Sequence, residues 1–317
     1  MSGNTVAISD LGRVVTGKTP STKNASFFDG EYQFVTPSDL DWKTYYCHTT
    51  ERTVTDDARK SHLNQFIPSN AVMVTCIGNT IGKCGLSASD CLTNQQINTI
   101  IPNGGIDPRF VYYLLVHNTD TIRGVGLGGG SATPILNKTS FSKIKLRVPP
   151  QNQWGIIAST LSAYDDLIEN NRRRIQLLEQ AARLLYKEWF VHLRFPGHEH
   201  TPIIDGVPAG WEKKTAFEVM DVLSGGTPKT SNQSYWGGDI PFFTPKDATD
   251  YAYVHDTEKS ITEAGLKNCN SNLYPKDTVF ITARGTVGKI NLAQCPMAMN
   301  QSCYALVAHC RGANLTD

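Results

Sequence analysis

Residues 14–39 read VVTGKTPSTKNASFFDGEYQFVTPSD, and residues 222–247 read VLSGGTPKTSNQSYWGGDIPFFTPKD. The two stretches align without a gap, and 12 of their 26 positions are identical. Others keep their character: Phe27 matches Tyr235, Phe28 matches Trp236 and Glu31 matches Asp239. Further on, VMVTCIGNTIGK at 72–83 matches VFITARGTVGK at 279–289 with one residue dropped, and Asn94-Gln95 matches Asn300-Gln301. The offset falls only from 208 to 206 across this span. A solenoid unit runs to about 20 to 50 residues, so a repeat this long marks a duplicated domain.

Each copy opens with turn residues, Gly17, Thr19-Pro20 and Thr36-Pro37 in the first. Short apolar runs follow, such as 71–74 and 278–281, which read as strands between loops. The first copy adds a helical stretch at 109–115. The fold class expected is α+β: two similar domains joined by a long helix.

That helix is expected between Gln151 and Leu193, bracketed by Pro149-Pro150 and Pro196-Gly197. Trp154, Ile157, Leu161, Tyr164, Ile168, Asn171, Ile175, Leu178, Ala182, Leu185 and Trp189 step by alternating 3 and 4 residues. This is the seam of a coiled coil, in which Asn171 either sets the register or is a tolerated polar position. Asp165, Asp166, Glu169, Arg172 and Glu179 fall between seam positions and are expected to face solvent. At 1.5 Å per residue, about 36 residues make a rod of roughly 50 Å. A long amphipathic helix packed on its own domain is the other reading of the same pattern. The boundaries expected are 1–150 for the first domain, 151–194 for the helix and 195–317 for the second.

Composition is that of a soluble globular protein, with 40% hydrophobic and 19% charged residues. No apolar run reaches the roughly 20 residues of a membrane helix, and the first residues lack a secretion-signal layout, so a cytoplasmic location is expected. Net charge is +1, with +3 over residues 1–150, +1 over 151–194 and −3 over 195–317. Such a balance neither requires nor excludes a nucleic-acid partner. The eight cysteines include no Cys-x-x-Cys pair, which argues for small buried hydrophobes and against a zinc site.

The order of parts resembles the specificity subunit of Type I restriction-modification systems. The matching residues are Val148-Pro-Pro-Gln-Asn-Gln entering the helix, Asn170-Asn171-Arg172 at its middle, and 184–191 (LLYKEWFV) at its end. Pro208-Ala-Gly-Trp211-Glu212 opens the second copy, and Gly-x-Thr-Pro (17–20, 225–228) and Thr-Pro-x-Asp (36–39, 244–247) recur. The resemblance implies a chain without a catalytic centre. Its two target recognition domains would each read half of a split, asymmetric site in double-stranded DNA, at a spacing set by the long helix. It also implies methyltransferase subunits docked on this scaffold, which use S-adenosylmethionine, a cofactor this chain would not bind itself, and a further restriction and translocase subunit. The second copy stops at Asp317, about where the first reaches Asp107. The pattern therefore fits a C-terminally truncated form or fragment, or a helix supplied by a partner: a second copy or a methyltransferase subunit.

Base-reading candidates are the polar and basic loop residues that the repeat makes equivalent. They are Lys18, Thr22, Lys23, Ser38, Asn79, Thr80 and Lys83 in the first copy, and Lys229, Thr230, Lys246, Arg284, Thr286 and Lys289 in the second. Arg284, which matches Ile77, is preferred because a guanidinium can pair with two guanine acceptors. Arg123 and Ser131 flank a glycine-rich stretch that also falls in the first recognition domain. That stretch, Gly124 to Gly129, fits G-x-G-x-x-G, but it is read as a loop running on through Pro134 and not as a nucleotide site. Asp205 with Glu212-Lys213-Lys214 imitates a nuclease triad, and His192, His198, His200 and Glu199 imitate a metal cluster; neither forms a coherent set of catalytic roles. The only Pro-Pro pair lies between Val148 and Gln151, outside an adenine-methyltransferase tetrad. The other functional classes are a self-contained methyltransferase or nuclease, and a protein–protein adaptor or decoy of the same family.

Overall fold

The computed structural model describes residues 4–128 and 134–309. It divides into two compact units, 1–171 and 172–317, so each unit holds one copy of the repeat and one half of the long helix.

In the first unit the chain runs β1 (Asn4–Ala7), α1 (Ile8–Leu11), β2 (Gly12–Thr16), β3 (Phe28–Val35), β4 (Tyr46–Cys47), β5 (Arg52–Val54) and α2 (Asp56–Ser61). Then come β6 (Phe66–Ile67), β7 (Val72–Thr75), β8 (Cys84–Ser87), β9 (Cys91–Thr93) and β10 (Ile97–Pro102). Three helices follow, α3 (Pro108–His117), α4 (Thr119–Leu127) and α5 (Lys138–Ser142), and then β11 (Lys145–Val148) and the long α6 (Trp154–Tyr186). The strands form a five-stranded sheet ordered β2-β10-β7-β8-β4 and a four-stranded sheet ordered β5-β3-β9-β6. The five-stranded sheet is covered on both faces, and β7 shows how. Val72 and Val74 join the core beneath α3, α4 and α5, whereas Met73 joins a second core with Val35, Ile67 and Cys91 of the other sheet. A strand buried on both sides must be apolar at every position, which is why 71–74 shows no alternation.

The second unit continues with β12 (Ile203–Ile204), β13 (Val207–Pro208), α7 (Ala216–Val219), β14 (Met220–Ser224), β15 (Trp236–Phe243), β16 (Tyr253–Val254), β17 (Lys259–Ile261) and α8 (Glu263–Lys267). It ends with β18 (Val279–Thr282), β19 (Ile290–Ala293), β20 (Ala298–Met299) and β21 (Cys303–Ala308). Its main sheet, β14-β21-β18-β19-β16, repeats the order of the first, and β17-β15-β20 repeats three strands of the second. Even the register shift in β3–β5, between Phe28 and Tyr32, recurs in β15–β17 between Trp236 and Ile240.

The long helix corrects one expectation. Its buried or half-buried positions are Trp154, Ile157, Ala158, Ser162, Asp165, Glu169, Arg172 and Glu179, so the first two seam residues pack on the first unit, whereas Leu161, Tyr164, Ile168, Ile175, Leu178 and Leu185 of the seam are exposed. Asp165, Glu169, Arg172 and Glu179, expected to face solvent, lie on the stripe that packs against the protein. Polar anchors hold that stripe. Tyr113 Oη donates to Asp165 Oδ2 at 2.6 Å, and Arg109 donates to Ser162 Oγ at 3.2 Å while clasping Asp107. In the second unit Ala252 N donates to Glu179 Oε1 at 2.7 Å. Phe110 stacks on Trp154 at 4.4 Å where the helix begins. Burial and the Asp165 carboxylate both push the Tyr113 phenol up, and the Arg109 guanidinium holds the Asp107 carboxyl below its usual range. Trp189, the last seam position, falls in a π-helical turn at Lys187–Val191.

The glycine-rich stretch is a second correction. Gly124 and Gly126 lie within helix α4, not in a loop, and a Cβ on Gly126 would stand 2.8 Å from Ile81 Cδ1. Glycine there permits the close approach of α4 to the 78–83 turn. Asp205 sits at φ 50 beside Gly206 at φ 74, in the turn between β12 and β13 that an Asp-Gly pair favours. Among the described residues no cluster of metal-ligating side chains occurs, and no helix is long and apolar enough to cross a membrane. Cys47, Cys76, Cys84, Cys91 and Cys303 are buried; burial pushes the Cys76 thiol up to about 11 and the Cys303 thiol up to about 12.

Candidate nucleic-acid interface

The repeated sequence blocks meet in space, and their contacts explain why they repeat. Gly17 lies so near the β9–β10 connection that a Cβ would stand 2.2 Å from Asn94 O, and a Cβ on Gly225 would stand 2.4 Å from Asn300 O. Thr19 Oγ1 donates to Gln95 Oε1, and Thr227 Oγ1 donates to Gln301 Oε1. Gly-x-Thr-Pro and Asn-Gln are therefore two halves of one joint.

Thr-Pro-x-Asp is a clamp. Asp39 Oδ2 accepts from Thr36 N and Oγ1, both at 2.7 Å, and its Oδ1 accepts from Glu51 N at 2.9 Å. Asp247 repeats this with Thr244, at 2.8 and 2.6 Å, and with Glu258 N at 2.7 Å. One carboxylate thus fixes the turn that carries Ser38 or Lys246 beside the start of β5 or β17. The third element is the turn after β7 or β18. Gly78, Gly82, Gly285 and Gly288 all have positive φ there, and Thr75 and Thr282 each donate their hydroxyl back to the turn carbonyl of Thr80 or Thr286. Ile77 and Arg284 sit at the first corner of this turn.

In the second unit these parts enclose a cleft of about 380 Å³ lined by Thr244, Lys246, Glu258, Lys259, Arg284 and Asn300, among others. A larger one of about 580 Å³ adjoins it through Glu258 and Lys259 and is lined by Thr230, Gln233, Trp236 and Ser260. The cleft brings together three of the candidates, Lys246, Arg284 and, across the shared wall, Thr230. Arg284 is exposed and makes no side-chain bond to the described residues, while Lys246 Nζ stands 4.0 Å from Glu258 in an exposed pair. Lys289 is tied to Asp250 at 3.1 Å, Thr286 Oγ1 donates to Pro245 O at 3.4 Å, and Lys229 is exposed.

In the first unit Lys18, Thr22, Lys23 and Asn79 are exposed, and Ser38 Oγ is bonded to Thr36 Oγ1. Lys83 donates to Leu40 O at 3.0 Å and Thr80 to Ile77 O at 2.8 Å, so both are held by the protein. Arg123 lies over the Trp42 ring at 5.4 Å. Ser131 lies outside the described residues.

The sequence reading passed over two basic residues. Arg52 lies over the Phe28 ring at 4.3 Å, and its equivalent Lys259 lies over the Trp236 ring at 5.7 Å. The signal was present as Thr50-Glu51-Arg52 against Thr257-Glu258-Lys259.

A mixed-sheet domain built twice on one strand order, with different side chains on its equivalent loops and a basic-lined cleft among those of the second copy, is the arrangement that the family match describes. Residues 3–180 and 208–312 match the Type I restriction modification DNA specificity domain, and the chain belongs to that family. It is 28% identical over 283 residues to the Type I restriction enzyme MjaIX specificity subunit of Methanocaldococcus jannaschii, covering 88% of this chain and 65% of that one. It is 31% identical over 172 residues to the HindI specificity subunit of Haemophilus influenzae, covering 52% of this chain and 37% of that one. The chain thus spans less than two thirds of the length of these relatives. The S subunit of a Type I restriction-modification system from M. genitalium shares the fold, with a TM-score of 0.60 at 18% identity over 98% of this chain and 74% of that one.

Proposed function

We propose that the chain is a non-catalytic specificity subunit that reads a bipartite, asymmetric site in double-stranded DNA and carries the subunits that methylate adenine and cut. Two recognition domains, 1–150 and 195–317, are joined in this reading by the spacer helix 151–194. One observation carries it: the same scaffold is built twice, with different side chains at equivalent reading positions, Ile77 against Arg284 and Ser38 against Lys246. Heads of one fold with different reading residues suit two unlike half-sites. Arg284 is the preferred base reader, directed at guanine. The exposed seam from Leu161 to Leu185 is the surface for a partner helix, from a second copy or a methyltransferase subunit. S-adenosylmethionine belongs to the methyltransferase subunit, and the complex works in the cytoplasm.

The test is to map methylated adenines in a genome expressing this chain with its methyltransferase subunit. A split motif with a fixed gap is expected. Arg284→Ala should relax one half-site only, by about 1–3 kcal/mol of base discrimination. A continuous or palindromic motif, or relaxation of both halves together, would refute the two-headed reading.

A further inference from the structure

We propose that Arg52 and Lys259 are the phosphate contacts of the two recognition units, each laid across an aromatic ring that holds it ready for the backbone of duplex DNA. The inference rests on the DNA-reading function above and assigns a division of labour within it. Base choice belongs to the turn that carries Ile77 or Arg284, and register on the duplex belongs to the β5 or β17 edge.

Three observations carry it. First, the arrangement is built twice although the side chains differ: Arg over Phe in one unit, Lys over Trp in the other. A pair kept by chemistry and not by identity is what a charge contact requires, since a phosphate oxygen accepts from either cation. Second, Lys259 lies on the wall shared by the two clefts of the second unit, beside Lys246 and Arg284, so a strand lying along both clefts passes it. Third, both cations are exposed while their rings are half-buried, at 4.3 and 5.7 Å. The ring limits the wandering of a long side chain without neutralising its charge, and a side chain already ordered loses less freedom on meeting a phosphate. Glu51 and Glu258 precede the two cations, but the Asp39 and Asp247 clamps bind their backbone N–H groups, which fixes where each strand begins.

Phosphate contacts are blind to sequence, so the target need not be known. The whole chain is titrated with a mixed-sequence DNA duplex over a series of salt concentrations. Lys259→Gln and Arg52→Gln should each lower the slope of log affinity against log salt by about 0.9, and the double variant by about 1.8. Lys259→Arg, which keeps the charge, should leave the slope unchanged. Trp236→Leu keeps the charge and loses its support, so the slope should hold while affinity falls about two- to fivefold. The exposed Lys276, outside both clefts, serves as control, and Lys276→Gln should change nothing. Unchanged slopes in both single variants, or an equal loss in Lys276→Gln, would overturn the assignment while leaving the DNA-reading function intact. If the unaltered chain binds no duplex, alone or with its methyltransferase subunit, that function itself falls and takes the assignment with it.

Discussion

Ile81 and Val287 occupy the same place in the two copies, on the turn after the central strand, yet Ile81 is 1% exposed and Val287 is 74% exposed. Cys84 and Ile290 differ in the same way, at 5% and 61%, as do Leu11 and Val219, at 1% and 40%. The sheets behind them share one strand order. The difference lies in what covers them. In the first unit α3, α4, α5 and β11 close this face, and among the described residues of the second unit no element does so. The other face is closed in both, by Phe243, Phe280 and Met299 in the second unit as by Val35, Met73 and Cys91 in the first. The strand order is the same in both units, and the covering of this one face is where they differ.

Substitutions on the covered and open faces should separate most. Phe141→Ala, beneath the helical layer, should cost about 3–5 kcal/mol in denaturant unfolding, whereas Val287→Ser should stay within about 0.5 kcal/mol. Equal costs would mean that the open face is buried in solution. Gly17→Ala and Gly225→Ala should each cost about 1–3 kcal/mol, alike in both units, because the joint they close is common to both. A marked inequality would break the equivalence of the two copies. Tyr113→Phe removes the bond to Asp165 and should cost about 1 kcal/mol, sharpening the contrast between the two anchorages of the long helix. The smallest effect at neutral pH is that of the buried thiols. Burial raises the Cys76 thiol from 9.0 to about 11. The native thiol stays neutral where the unfolded one ionises, so its contribution is complete below pH 9 and is lost as pH rises towards 11. With Cys47, Cys76, Cys84 and Cys91 in the first unit and Cys303 in the second, the first should be the more sensitive to alkali, read as separate melting transitions.

Much of the fold was legible because the chain is written twice. The repeat predicts two units of one topology, and 72–75 and 279–282 are strands as their β-branched runs imply. The long helix was legible from its period, but its orientation was not. Periodicity marks an apolar face, and which face the protein's own domains occupy depends on polar partners distant in sequence, such as Tyr113 for Asp165 and Ala252 for Glu179. The 124–128 stretch misled because glycine is a poor helix former, yet the close approach of Ile81 makes glycine the residue that fits at 126. Of the candidate site, the sequence marks which loops are equivalent but not the bonds within them. Lys83 looked free in sequence because its partner is a backbone carbonyl at Leu40, a group carried by every residue. Arg52 and Lys259 were missed because their rings lie more than twenty positions upstream.

The Asp39 and Asp247 clamps bear on how much the loops they close can vary. Each carboxylate gathers only backbone groups and one threonine hydroxyl, so it is indifferent to the side chains of the loop it closes. The chain between Thr36 and Glu51 is one residue longer than that between Thr244 and Glu258, and both close alike. One clamp thus closes two loops of different sequence and length. Replacement of such a loop by another of different sequence is therefore expected to leave the clamp, and the strands that it joins, in place.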